Sequence, residues 1–303
     1  MQSFLLKAMK KNKKLQHLIE YYALKATIAF LYLFSMNTAK KFGFILADIV
    51  FKFIPIRKKH IISSLTKAFP NKTQKEINEI AKDVYKQFVC TVVEIIFVSK
   101  MSDKQLKNFV NFENIYLVEN SIKQGKGAIM LSAHFGNWEM LAISFAKRYP
   151  LSVIVAKQEN PYFDEMINGI RSNRGYKTIY KEVAPIGVLR ALKRKEFVAI
   201  LADQHAGDQG VYTPFFFGDV STPKGPAVFA LKAGCPIIAG FCVRQPDGRY
   251  VATFEEILVD DVGTEDEKVK KIITEYNKIL QKYVEKYPSY WFWFHRRWRQ
   301  KDN

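Results

Sequence analysis

His134 and Glu139 stand five positions apart in the segment GAIMLSAHFGNWEM (127–140), where a short apolar run gives way to a helical pattern. An imidazole oriented by a carboxylate is a general base poised near neutral pH. On one continuous helix an i, i+5 pair does not share a face well. The pair meets if His134 occupies the loop at a strand end and Glu139 the first turn of the next helix. Gly136 would then permit the tight turn and Asn137 would cap the helix. The helix N-terminus favours the carboxylate, which can accept from the imidazole. A histidine that merely closes a turn, followed by a glutamate that merely decorates a helix start, fits the same spacing.

The chain offers little competing chemistry. It has no GxSxG elbow, no P-loop and no HExxH, and the GxG at Gly125 and Gly127 runs into Met130, which leaves a dinucleotide fingerprint incomplete. His134, Asp203, His205 and Asp208 are conceivable metal ligands, but no pair among them has a recognised ligand spacing, so no metal is expected. Cys90, Cys235 and Cys242 form no CxxC and are too few for a disulfide scaffold, which suits a reduced, cytoplasm-facing protein with buried thiols. Without an activated Ser or Cys, a base-only mechanism is favoured. Direct attack of an acceptor hydroxyl on an activated acyl group needs one base, an oxyanion stabiliser and a binding groove.

The elements that must position these groups are legible from periodicity. Residues 73–98 read as a helix, with Thr73 and Glu76 as a capping box and Ile77, Ile80, Val84, Phe88, Thr91 and Ile95 at helical spacing. Short apolar runs at 128–131, 151–155, 197–201 and 236–243 alternate with helical stretches at 138–148, 162–171, 185–194 and 226–233. That alternation predicts an α/β fold with a mostly parallel central sheet flanked by helices, whose sites gather at the carboxyl ends of strands. Residues 264–287 carry one apolar stripe and read as a last helix. No internal repeat or long linker appears, so the chain reads as an N-terminal helical anchor (1–56) and one catalytic domain (57–303).

Lys plus Arg number 47 against 29 Asp plus Glu in 303 residues, a net charge of +18. With 48% hydrophobic residues, this excludes an acidic solvating protein and a disordered chain. It points to an anionic partner: nucleic acid, an acidic leaflet, a phosphorylated substrate or an acidic carrier. Lys7, Lys10, Lys11, Lys13 and Lys14 precede an apolar segment at 15–34 that Glu20 and Lys25 interrupt. Its longest charge-free run, 26–39, has 14 residues, short of the roughly 20 a spanning helix needs. A second apolar segment, 42–56, is followed by Arg57, Lys58, Lys59 and His60. Aromatic-rich segments with lysines on their flanks predict membrane-associated helices lying in or dipping into an anionic leaflet from the cytoplasmic side. A buried helical hairpin with basic ends is the other reading. No zinc-finger, RRM-type or KH-type pattern accompanies the lysines, so no nucleic acid is expected.

HFGNWE (134–139) resembles the HxxxxE block of the bacterial lipid A biosynthesis acyltransferases, within the lysophospholipid acyltransferase superfamily. The resemblance continues in order: Ser64-Leu65 to Phe69-Pro70, Glu94, Asn160-Pro161, Arg171 in RSNRG (171–175), Asp203-Gln204, Phe216-Phe217-Gly218, Thr222 with Gly225-Pro226-Ala227, and WFHRRW (293–298). Ser64 replaces the family's usual Asn. The resemblance implies a glycerolipid-acyltransferase-like fold. It also implies transfer of a fatty acyl chain from acyl carrier protein or acyl-CoA, as co-substrate with no further cofactor, to a hydroxyl of a lipid A precursor or related glycolipid. The place would be the cytoplasmic face of the bacterial inner membrane, with the chain peripheral or single-span.

Carried over by position, His134 is the general base and Glu139 orients it. Arg171 meets a phosphate or the developing oxyanion, with Arg174 as a weaker companion. Asp203 positions the acceptor or structures its loop, and Gly225 and Pro226 shape the groove. The ending at 289–301 is expected either to form a headgroup-level belt or to bury Trp291 and Trp293 while Arg296 and Arg297 face water. Acylation of a lysophospholipid, aminolipid or other glycosylated lipid is the alternative enzyme reading. A non-enzymatic basic membrane-surface protein is the other.

Overall fold

The alternating runs fold into a seven-stranded sheet of order β1-β9-β8-β2-β5-β3-β4. In the computed structural model, residues 2–54, 56–258 and 262–299 are described, with side chains from residue 13 onward. Lys7, Lys10 and Lys11 of the basic cluster lie outside the described side chains, and the last two residues of the 289–301 ending lie outside the described residues. The strands are β1 (Val110–Glu113), β2 (Ile129–Ser132), β3 (Leu151–Val155), β4 (Lys177–Tyr180), β5 (Phe197–Leu201), β6 (Gly210–Phe215), β7 (Gly218–Pro223), β8 (Ile237–Arg244) and β9 (Tyr250–Ile257). The helices are α1 (Gln2–Leu31), α2 (Met36–Phe53), α3 (Lys58–Ala68), α4 (Gln74–Val98), α5 (Asp103–Phe109), α6 (Tyr116–Lys123), α7 (Trp138–Ala146), α8 (Pro161–Asn173), α9 (Ala184–Lys193), α10 (Gly225–Ala233) and α11 (Glu265–Lys286).

All pairings in this sheet are parallel except β8 with β9, and β6 and β7 form a separate antiparallel hairpin. Strands β2, β3, β5 and β8 fall where the apolar runs predict them, because parallel strands covered on both faces are apolar throughout. Strands β1 and β4 are four residues each, and β9 alternates buried with half-exposed positions, so none of the three shows the continuous run. The capping boxes of α4 (Thr73, Glu76) and α11 (Thr264, Glu267) are both formed.

The sheet separates two cores. Ile61, Leu65, Val188, Ala230 and Ile272 belong to one, and Val118, Met140, Ile143, Phe145 and Phe254 to the other. Helix α2 joins this body by burying Ala39, Lys40, Gly43 and Ala47. A Cβ on Gly43 would sit 2.7 Å from Val89 Cγ1 of α4, so glycine sets how closely the two helices approach. The opposite side of α2 leaves Phe42, Ile45, Leu46, Ile49 and Phe53 exposed. Helix α1 is held where Asn160 donates to the His17 carbonyl at 2.9 Å and Tyr32 to the Ile96 carbonyl at 2.8 Å. Among the described residues, no helix is long and apolar enough to cross a membrane.

The C-terminal segment follows the second expectation at its tryptophans and at Arg296, and departs from it at Arg297. Trp291 and Trp293 are core residues, and Arg297 is 0% exposed rather than water-facing. Its guanidinium donates to the Gln204 carbonyl at 2.8 Å, the Ser221 carbonyl at 2.7 Å and Thr222 Oγ1 at 2.6 Å. The aromatic residues are therefore a strap across the strand ends, not a headgroup belt. Arg297→Ala removes three charge-assisted hydrogen bonds from a site water cannot refill. It is expected to destabilise the fold by about 3 kcal/mol or more, read as a clear drop in melting temperature by circular dichroism. Arg296→Ala, at an exposed neighbour, is expected to leave the melt nearly unchanged.

Candidate active site

Strands β2 and β5 run parallel with Ser132 opposite Leu201, and the Ala202 amide donates to the Ser132 carbonyl at 3.0 Å. That register carries the two chains off the sheet's carboxyl edge side by side, so His134 and Asp203, each two residues past its strand, meet. The His134 amide donates to Asp203 Oδ2 at 3.0 Å, and His134 Nδ1 lies 2.8 Å from Oδ1. A carboxylate oxygen only accepts, so Nδ1 carries the proton and Nε2 keeps its lone pair. Asp203 is 2% exposed and also accepts from Trp291 Nε1 at 3.0 Å.

Burial works to raise the Asp203 pKa, but the facing imidazole, the hydrogen bonds and the Arg297 charge outweigh it and hold the carboxyl below its ordinary value. Burial likewise disfavours charge on His134. The Asp203 charge and hydrogen bond, with Glu139 adding, reverse this and raise the imidazole pKa above its ordinary value.

The turn after His134 is built as its residue types imply. Gly136 has φ +59°, and a Cβ there would lie 1.9 Å from the Cys242 carbonyl oxygen. Asn137 caps α7, its Oδ1 accepting from the Met140 amide at 2.9 Å. The C-terminal strap closes over the turn: the Phe292 amide donates to the His134 carbonyl and the Gly136 amide to the Tyr290 carbonyl, both at 2.9 Å.

Glu139 does sit in the first turn of α7, but its carboxylate does not hold His134. It accepts from Arg171 of α8 and from the Tyr176 hydroxyl at 2.6 Å. The expectation that Glu139 orients the imidazole is therefore corrected: Asp203 does so, and Glu139 acts on His134 through its charge alone. The first-turn neighbour that meets the imidazole is Trp138, whose ring stands edge-on 5.1 Å away.

His134, Glu139 and Arg171 line one cavity of about 870 Å³ at the carboxyl ends of the central strands. Gly225 and Pro226 line it too. Its polar lining includes Lys181, Gln204, His205 and Lys224, and its apolar lining includes Met130, Leu141, Phe145, Val153 and Phe254. Arg171 Nε is buried there without a hydrogen-bond partner, a donor ready for an incoming oxygen. Arg174 is elsewhere, capping α8 and donating to the Met101 carbonyl at 2.8 Å, so it does not accompany Arg171. Among the described residues, no three His, Cys, Asp or Glu side chains gather to hold a metal ion. Sequence reasoning did not assign Trp291 or Tyr176 to the site. The usable signal was that a buried indole N–H or phenol needs a partner.

Comparison with known proteins places the chain in a family. The model of the bacterial lipid A biosynthesis acyltransferases matches residues 8–300. The lipid A biosynthesis palmitoleoyltransferase of Escherichia coli K12 is 21% identical over 251 residues, covering 82% of this chain and 81% of that protein. A lipid A biosynthesis acyltransferase of Haemophilus influenzae is 24% identical over 247 residues, covering 79% and 76%. A phosphatidylinositol mannoside acyltransferase of Mycolicibacterium smegmatis is 22% identical over 46% of this chain and 47% of its own. Among solved structures, the 1-acyl-sn-glycerophosphate acyltransferase of Thermotoga maritima aligns with 86% of this chain and all of its own at 17% identity, a loose likeness with a TM-score of 0.39. A match spanning nearly the whole sequence makes the chain a member of the bacterial lipid A biosynthesis acyltransferase family.

Proposed function

We propose that this acyltransferase moves a fatty acyl chain from a thioester donor, acyl carrier protein or acyl-CoA, to a hydroxyl of a lipid A precursor or related glycolipid. The observation that carries this reading is the Asp203–His134 pair, which leaves Nε2 unprotonated in a residue lining a cavity with both polar and apolar walls. Nε2 takes the acceptor hydroxyl proton as the oxygen attacks the thioester carbonyl. The buried Asp203 carboxylate stabilises the imidazolium. Arg171, fixed by Glu139 and holding a spare N–H, faces the developing oxyanion or a substrate phosphate. Collapse of the tetrahedral intermediate breaks the C–S bond, and the imidazolium returns its proton to the leaving thiolate. The products are an ester and a free thiol, so atoms balance with no further reactant. The apolar lining takes the acyl chain.

The matches to phosphatidylinositol mannoside acyltransferases favour one second reading, another glycosylated membrane lipid as acceptor. Mass spectrometry of lipids from cells with and without the gene decides between them by giving the acceptor and the added chain mass. In either reading residues 1–56 dock the enzyme on an anionic membrane face. The exposed face of α2 enters the interface, and Lys41, Lys52 and Lys59 lie toward headgroups.

His134→Ala and Glu139→Ala are each expected to lower acyl transfer at least ~100-fold, the scale of lost general-base or electrostatic catalysis. Near-wild-type transfer by both, with the true substrates, would overturn the mechanism. In the wild type, kcat/KM should fall as pH drops through a pKa above the ordinary histidine value of about 6.5, because Asp203 holds the proton on. Asp203→Asn removes that charge, so the acid limb should move to lower pH while the plateau falls. An unmoved limb would show that another group titrates. Ile45→Asp/Ile49→Asp should reduce co-sedimentation with vesicles containing phosphatidylglycerol, and unchanged sedimentation would refute docking through α2.

A further inference from the structure

Glu94 lies on α4, outside the cavity lining, yet it is a carboxylate with 0% exposure. Four donors converge on it. Oε1 meets Lys40 Nζ of α2 and the Cys90 thiol, the latter at 3.6 Å. Oε2 accepts from Asn137 Nδ2 at 2.8 Å and from the Tyr250 hydroxyl. One turn earlier on α4, Thr91 Oγ1 donates to the Gly136 carbonyl at 3.2 Å. A single face of α4 thus grips residues 136 and 137, the two that lead from the His134 loop into α7.

Asn137 is itself 0% exposed and uses both ends of its amide. Oδ1 caps α7 at the Met140 amide, which forces Nδ2 to find an acceptor on the protein side. Flipping the amide would set N–H against N–H at the cap and oxygen against oxygen at Glu94. The carboxylate therefore selects the one rotamer that caps the helix. Two residues before Asn137 is Phe135, preceded by His134. The two after it are Trp138, against the imidazole, and Glu139, on Arg171. Lys40 completes the device as the counter-charge to a carboxylate that has no access to water.

We propose that Glu94 is a positioning residue: through Asn137 it sets the turn that holds His134 and Glu139 in their working geometry, with Lys40 of α2 as its counter-charge. The kinetic consequence rests on the reading of His134 as general base. The geometric consequence does not. Because Lys40 sits on the helix whose other face is apolar and exposed, the same contacts tie the seating of α2 to the shape of the catalytic turn.

The test compares Lys40→Met/Glu94→Gln with Lys40→Met/Glu94→Leu in the full chain. Both lack the buried charges, and they differ in whether Asn137 keeps an acceptor. The Gln variant should retain kcat to within about tenfold of wild type. The Leu variant should lose on the order of 100-fold in kcat per folded molecule, with KM for the acyl donor little changed, the scale of a small misplacement of reacting groups. A second readout needs no turnover. The chain has five histidines, so after labelling histidine with nitrogen-15 the His134 Nδ1–H proton can be assigned by its loss in His134→Ala. Its downfield resonance should persist in the Gln variant and shift or vanish in the Leu variant. Equal kcat per folded molecule and an unmoved resonance in both variants would overturn the proposal. A wild type that transfers nothing would refute the proposed function and leave the resonance test of Glu94 intact.

Discussion

A carboxylate with almost no solvent around it must be answered from every side, and Asp203 imposes that demand on the fold. Its oxygens take the His134 amide, the His134 ring and the Trp291 indole, while the buried Arg297 charge stands behind it. These groups come from the end of β2 and from the C-terminal strap. A charge left unpaired at such a depth would protonate or unfold its surroundings. The strap is therefore as much a part of the site as the strands are. It supplies Trp291, closes on the His134 and Gly136 backbone, and carries Arg297 to the carbonyls of residues 204 and 221.

Two carboxylates with different neighbours follow from this arrangement. Asp203 has a histidine as its main partner and is sealed, so it fixes a tautomer and favours an imidazolium. Glu139 has an arginine and a tyrosine as partners and lines the cavity, so it holds a cation at the cavity wall. Their separation puts an imidazole and a fixed positive group in one cavity that also has apolar walls.

The basic charge of the chain is also better placed now. Helix α2 presents apolar side chains outward and a buried lysine inward, so not every lysine is a surface contact for an anion. Lys181 and Lys224 line the cavity, while Lys41 and Lys52 flank the exposed apolar face. Part of the +18 is thus structural, part lies at the site and part lies toward a surface.

Local geometry was legible from residue order. The apolar runs of β2, β3, β5 and β8, the Thr73–Glu76 capping box, the turn at Gly136, the cap at Asn137 and the place of Glu139 in the first turn of α7 all depend on neighbours a few positions apart. Near-neighbour sterics and hydrogen bonds decide such features, and the sequence spells them out. The partner of His134 was not legible in this way. Asp203 is 69 positions away, and only the register of β2 on β5 brings the two together. Arg171 lines the same cavity as His134, but its tie to Glu139 depends on how α8 packs beside α7. Arg174, three residues on, turns to Met101 instead. Arg297 reads as a surface charge until the fold is known, because its burial is made possible by carbonyls from the loop after β5 and from β7. The sequence by itself determined the pieces and the chemistry they carry. Which carboxylate meets His134 was left to the tertiary structure, because a contact across a sheet depends on strand register, which spacing along the chain does not encode.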